Sequence, residues 1–80
     1  MNNQEKLFKA IANALNIDIR LIDENSSSER FNGWDSLGMI KLSLELEKIF
    51  KIKFEIFEIT EFQNVKIIKK NLKRKSINFD

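Results

Sequence analysis

Between Ser36 and Phe50 the apolar residues return at the spacing of an α-helix, and no other stretch limits the fold of this chain as tightly. With Leu37 at 0° and about 100° per residue, Met39, Leu42, Leu46, Ile49 and Phe50 gather between about 120° and 220°, a full core-facing stripe. Leu37, Ile40 and Leu44 form a second apolar stripe between about 300° and 0°, and Gly38, Lys41, Glu45 and Lys48 fill the arc from about 20° to 100°. Ser36 falls at about 260°, next to Ile40, and Ser43 and Glu47 lie between the stripes. Such a helix has more apolar surface than one core contact requires. Either Leu37, Ile40 and Leu44 pack under a loop or a short helix, or they form a partly exposed docking stripe beside Ser36. Asp35 is a good N-cap acceptor, Trp34 and Met39 are placed as a hydrophobic staple, and Glu47 and Lys51 are spaced for an i,i+4 ion pair.

The rest of the chain reads as helices joined by one long connection. Residues 3–16 carry Leu7, Phe8, Ile11, Ala14 and Leu15 at helical spacing, with Asn2 or Asn3 to cap the start and Asn16 to take a left-handed end. Residues 17–34 contain turn chemistry at Ser26-Ser27-Ser28 and Asn32-Gly33, and Ile17, Ile19, Leu21, Ile22 and Phe31 are expected to pin this loop to the domain. Phe50, Ile52, Phe54 and Ile56 alternate with charged residues, the pattern of a strand, but no second strand pattern offers it a partner. Residues 51–54 are therefore read as an extended connection and 55–61 as a short helix. Val65, Ile67, Ile68 and Leu72 predict a last helix over 64–74, and residues 76–80 are expected to be loose. The fold expected is all-α, a four-helix bundle of three longer helices and a short third one. A long loop joins helices 1 and 2, and a single domain spans residues 1–75.

Composition narrows the chemistry. The 80 residues include no cysteine and no histidine, so no disulfide staples the fold and the usual zinc ligands are missing. A chain this short buries a modest core, with a stability of about 3–5 kcal/mol. No proline and only two glycines suit a helical domain, and the net charge of +2 is too slight to imply a nucleic-acid partner. No apolar run is long enough to span a membrane, and the segment Met-Asn-Asn-Gln-Glu-Lys has neither the shape of a signal peptide nor a myristoylation glycine. A cytoplasmic protein is expected, without a membrane partner.

Ser36 is a poor catalyst on this sequence. A serine nucleophile needs a base, and the chain has no His, Tyr or Cys. Lys41 lies well round the helix, Asp35 and Glu45 do not share a face, and no nucleophile elbow is present. No enzyme is expected. A serine that is itself the substrate has simpler needs. It must be exposed at a loop–helix junction, and a helix N-terminus there favours an attached phosphate.

A wider pattern surrounds Ser36. Trp34-Asp35-Ser36-Leu37-Gly38-Met39-Ile40-Lys41-Leu42 resembles the start of the second helix in acyl carrier proteins, and Leu46-Glu47-Lys48-Ile49-Phe50-Lys51-Ile52-Lys53-Phe54 its end and exit. Phe57, Ile59, Phe62, Val65 and Ile68 continue the pattern through the third and fourth helices, with no gap between 34 and 72. The resemblance implies a 4'-phosphopantetheine arm on Ser36, attached by a phosphopantetheinyl transferase that recognises Asp35 and Leu37. The arm's thiol would carry acyl groups between a loading ligase and acyltransferase or synthase enzymes. Leu37, Ile40, Leu44, Glu45 and Glu47 would dock these partners, and Phe8, Leu42, Leu46, Phe50, Ile59 and Ile68 would line the core or an acyl-accepting space. No metal site and no self-association are implied. Second helices in the family are often strongly acidic, whereas this one has Lys41 and Lys48 where acids are common. Asn32-Gly33-Trp34-Asp35-Ser36-Leu37-Gly38 looks more like freestanding carriers of dedicated pathways, such as surface-polysaccharide or specialised acyl transfer.

Two rival readings stand beside the carrier. Lys66, Lys69, Lys70, Lys73, Arg74 and Lys75 make a basic segment that could contact the phosphates of a nucleic acid, although no aromatic residue interleaves it. A small helical interaction module would keep the docking stripe and dispense with Ser36.

Overall fold

A computed structural model describes residues 1–79. The described residues form four α-helices and no strand: α1 (Asn3–Leu15), α2 (Ser36–Phe50), α3 (Ile56–Ile59) and α4 (Val65–Arg74), with a 3-10 turn at Ile19–Leu21. Each longer helix starts on a side-chain cap. Asn2 accepts from the Glu5 N–H, Asp35 from Gly38 and Asn64 from Ile67, so one free backbone donor per helix is satisfied.

The ends share a second device. Asn16, Lys51 and Ser76 all take positive φ, at 55°, 56° and 69°, and each is followed by an isoleucine. The N–H groups of Ile17, Ile52 and Ile77 donate back to Ala12, Glu47 and Leu72, which closes the last turn and points an apolar side chain at the core. The sequence pattern anticipated this at Asn16. At Lys51 it predicted an ion pair with Glu47, and the structure differs. Glu47 Oε2 instead accepts the Phe54 N–H at 2.9 Å, an otherwise orphaned donor in the extended segment after α2.

One core holds the helices together. Leu7, Ala10 and Ile11 of α1, Leu42 and Leu46 of α2, and Val65, Ile68 and Leu72 of α4 are buried with Phe62, Ile22 and Trp34. Phe8, Phe50 and Ile59 pack half-buried against them. The alternation at 50–56 arises here without a sheet: Ile52 and Phe54 turn inward, and Phe54 meets Phe62 edge-on at 4.9 Å between ring centroids. The buried polar side chains are each satisfied. Ser26 accepts from the Asp23 N–H, while Ser43 and Asn71 donate to the carbonyls of Ile40 and Ile67.

The long connection is stitched to the far end of the chain. Val65 N–H donates to the Ser26 carbonyl at 3.1 Å and Ser28 N–H to that of Gln63 at 2.7 Å, around an isolated bridge between Ser27 and Asn64. Ile17, Ile22 and Phe31 pack inward, but Ile19 and Leu21 do not. Ile22, which follows the 3-10 turn in extended backbone and donates its N–H to the Ile19 carbonyl, is the side chain of this stretch that reaches the core. Residues 76–80 were expected to be loose. Ile77 and Phe79 pack against the core, and the Asn78 carbonyl accepts from Asn3 Nδ2 at 2.7 Å; Asp80 lies outside the described residues. Among the described residues no helix is long and apolar enough to cross a membrane.

Candidate functional site

The loop that delivers Ser36 is anchored immediately before it. Trp34 is buried, and its indole N–H donates to the Phe62 carbonyl at 2.7 Å, tying the end of the long connection to the α3–α4 link. Phe31 lies beside the indole, with ring centroids 6.3 Å apart. Met39, one turn into α2, packs against the same core. Next to this anchor, Asp35 caps the helix start with its carboxylate on the Gly38 N–H at 2.9 Å. Ser36 then begins α2 with its side chain exposed.

Ser36 stands on the rim of an open groove of about 460 Å³ between α2 and α3. Met39, Ile40, Ile56 and Ile59 make its walls, and Thr60 and Gln63 join Ser36 as its polar edge. None of these lining residues is a general base, so nothing in the groove would take a proton from the serine hydroxyl. Ile59 was expected to line the core or an acyl-accepting space, and it packs half-buried against the core with one side on this groove. Ile56, Thr60 and Gln63 were missed, because which face α3 turns to α2 depends on the path of 51–55 and leaves no period in a four-residue helix.

The second apolar stripe is open to solvent. Leu37, Ile40 and Leu44 are 59%, 49% and 59% exposed, which removes the alternative that a loop or α3 covers them. Ile56 and Phe57 of α3 are also exposed, at 81% and 67%, and Ile56 adds to the apolar lining of the groove beside Ser36. Of the two acids expected beside the stripe, Glu45 is half-buried and 3.9 Å from Lys48, and Glu47 is occupied by the Phe54 N–H.

Gly38 has a structural cause. A Cβ at this position would collide with the Gly33 carbonyl and sit 3.2 Å from Leu15 Cδ2. Its missing side chain therefore lets the Asn32-Gly33 turn and α1 approach α2. It faces away from the groove-lining residues.

The basic C-terminal segment is partly consumed by the fold. Lys69 pairs with Glu24 at 2.8 Å, donates to Gln4 and covers the Phe79 ring. Lys75 lies 3.1 Å from Glu58 and over the Phe54 ring. The hydrogen bond from Lys69, with its charge, holds the Glu24 carboxyl below its usual range. Burial works against the charged form of Glu58, but the Glu55 N–H and Lys75 outweigh it and its carboxyl is also held low. Lys66, Lys70, Lys73 and Arg74 remain exposed. Lys69 was expected to share a free cationic face with Lys66, Lys70 and Lys73, and it is instead covered. Among the described residues no group of three acidic side chains is placed to hold a metal ion. No protein-family profile matches the chain, and no curated protein matches it.

Proposed function

We propose that this chain is an acyl carrier protein of the freestanding kind, a four-helix bundle that acts in the cytoplasm as a monomer. The observation that carries the reading is the exposed Ser36 hydroxyl at the first position of α2, on the rim of an apolar groove and at the head of the exposed stripe Leu37, Ile40, Leu44. Each part has a use. Asp35 fixes where the helix begins, so the serine is presented in one geometry to a phosphopantetheinyl transferase, and Leu37 gives that enzyme an apolar contact. The N-terminal turn of α2 favours the negative charge of a phosphodiester formed on the serine oxygen.

When bound, the 4'-phosphopantetheine arm supplies a thiol on which acyl groups are held as thioesters. The residues around Ser36 fit such a group: the hydroxyl is accessible, and Met39, Ile40, Ile56 and Ile59 offer an apolar surface along which an arm or acyl chain can lie. Leu37, Ile40 and Leu44 present this side of α2 to a loading ligase and to acyltransferase or synthase enzymes, and Glu45 lies next to Leu44 in the chain, half-buried and 3.9 Å from Lys48. Glu47 braces the exit of α2 and serves docking only indirectly.

The test is an intact-mass measurement after incubation with coenzyme A and a broad-specificity phosphopantetheinyl transferase. The wild-type protein is expected to gain one arm and Ser36→Ala none. A folded protein that gains no mass with an active transferase overturns the reading.

A further inference from the structure

We infer that the enzymes served by this carrier dock on α2 through an acidic surface that places an apolar side chain between Lys48, Lys51 and Lys53. The inference rests on the carrier reading and adds the chemistry of the partner.

At the end of α2 distal to Ser36, a second open cavity of about 500 Å³ is lined by Leu44, Glu47, Lys48, Lys51, Ile52 and Lys53. Leu44 and Ile52 supply apolar surface, and the three lysines around them are exposed. Lys41, Leu44, Lys48 and Lys51 follow one another at i, i+3, i+7 and i+10, so cations and the docking leucine share one side of the helix.

Two carboxylates of α2, Glu45 and Glu47, offset part of this charge, but the four lysines Lys41, Lys48, Lys51 and Lys53 outnumber them. Glu47 is bound by the Phe54 N–H, Glu45 is half-buried against Lys48, and Asp35 at the other end holds the Gly38 N–H. On and beside α3, Glu58 is paired with Lys75, while Glu55 and Glu61 are exposed. The distal end of α2 is thus cationic around an apolar patch, and the surface complementary to it carries carboxylates around a leucine or phenylalanine. α4 offers a second cationic surface in Lys66, Lys70, Lys73 and Arg74, but every large apolar residue that is strongly exposed lies elsewhere among the described residues. Of the two cationic surfaces, α2 is the one with an apolar anchor.

The experiment uses two fluorescein-labelled helical peptides with the same Leu/Phe face, one flanked by Glu and the other by Lys. Each is titrated into the Ser36→Ala protein, followed by anisotropy and by backbone amide shifts. The Glu peptide is expected to bind saturably, with shifts centred on residues 44–53. Its affinity is expected to fall about tenfold in Lys48→Glu/Lys53→Glu and on raising salt from about 0.05 M to about 0.5 M. Lys48→Gln/Lys53→Gln should lose part of that affinity, and Lys70→Glu/Lys73→Glu should keep it. Equal binding of the Lys peptide, shifts centred on α4, or no saturable binding of the Glu peptide overturns the inference. Because Ser36→Ala accepts no arm, this result and the intact-mass result fail independently.

Discussion

Gly38 and Trp34 show how single positions bind the site to the fold. Glycine inside a helix costs about 1 kcal/mol relative to alanine, so propensity alone makes Gly38→Ala stabilising. The contact decides the sign the other way, because the added Cβ meets the Gly33 carbonyl, a backbone atom that cannot swing aside. Overpacking of this kind costs about 1–3 kcal/mol. Gly38→Ala is therefore expected to lower the melting temperature by about 4 °C or more, read by circular dichroism. For Trp34 the hydrogen bond matters as much as the ring. Trp34→Phe keeps an aromatic residue but leaves the buried Phe62 carbonyl without its donor. A loss of about 1–3 kcal/mol is expected in urea unfolding. A smaller change would mean that this carbonyl finds another partner.

Among the elements, α2 is the one with two jobs. Its inner stripe, centred on the fully buried Leu42 and Leu46, belongs to the core. Its outer stripe does nothing for the core, which makes Leu44→Glu a clean discriminator. That substitution is expected to leave helicity intact and stability within about 0.5 kcal/mol, while weakening the Glu-flanked peptide. Loss of folding would place Leu44 in the core instead. The helix ends carry a lesson about legibility. Asn16 was recognisable as a left-handed terminator because asparagine tolerates positive φ, whereas Lys51 and Ser76 carry little such mark. What identifies them is the isoleucine that follows, whose burial offsets the backbone cost.

For the domain as a whole, two ion pairs join segments far apart in sequence: Glu24 of the long connection to Lys69 of α4, and Glu58 of α3 to Lys75 beyond α4. Both carboxyls are held below the ordinary value of 4.5, so their ionised forms favour the folded state. This contribution is complete above the unfolded-state value and disappears as pH falls through the lower folded-state value. Urea unfolding measured from about pH 6 to about pH 3 should show stability declining over the lower part of that range. Glu24→Gln/Glu58→Gln should be less stable at the upper end and show a shallower decline. An equally steep decline in the double variant would assign the acid sensitivity to other carboxyls.

Helix positions were legible wherever a local rule applies: the 3.6-residue period of α1, α2 and α4, the asparagine pair at the start of α1, and the Asp35 cap that places Ser36 at a helix start. Such features depend on side chains within a turn of one another. The groove beside Ser36, the exposure of Leu37, Ile40 and Leu44, the capture of the Phe54 N–H by Glu47 and the covering of Lys69 each depend on segments distant in the chain. A helical period says that a face is apolar but not whether anything covers it. That answer came from packing, when the α3–α4 link took the Trp34 indole and left the outer side of α2 facing solvent.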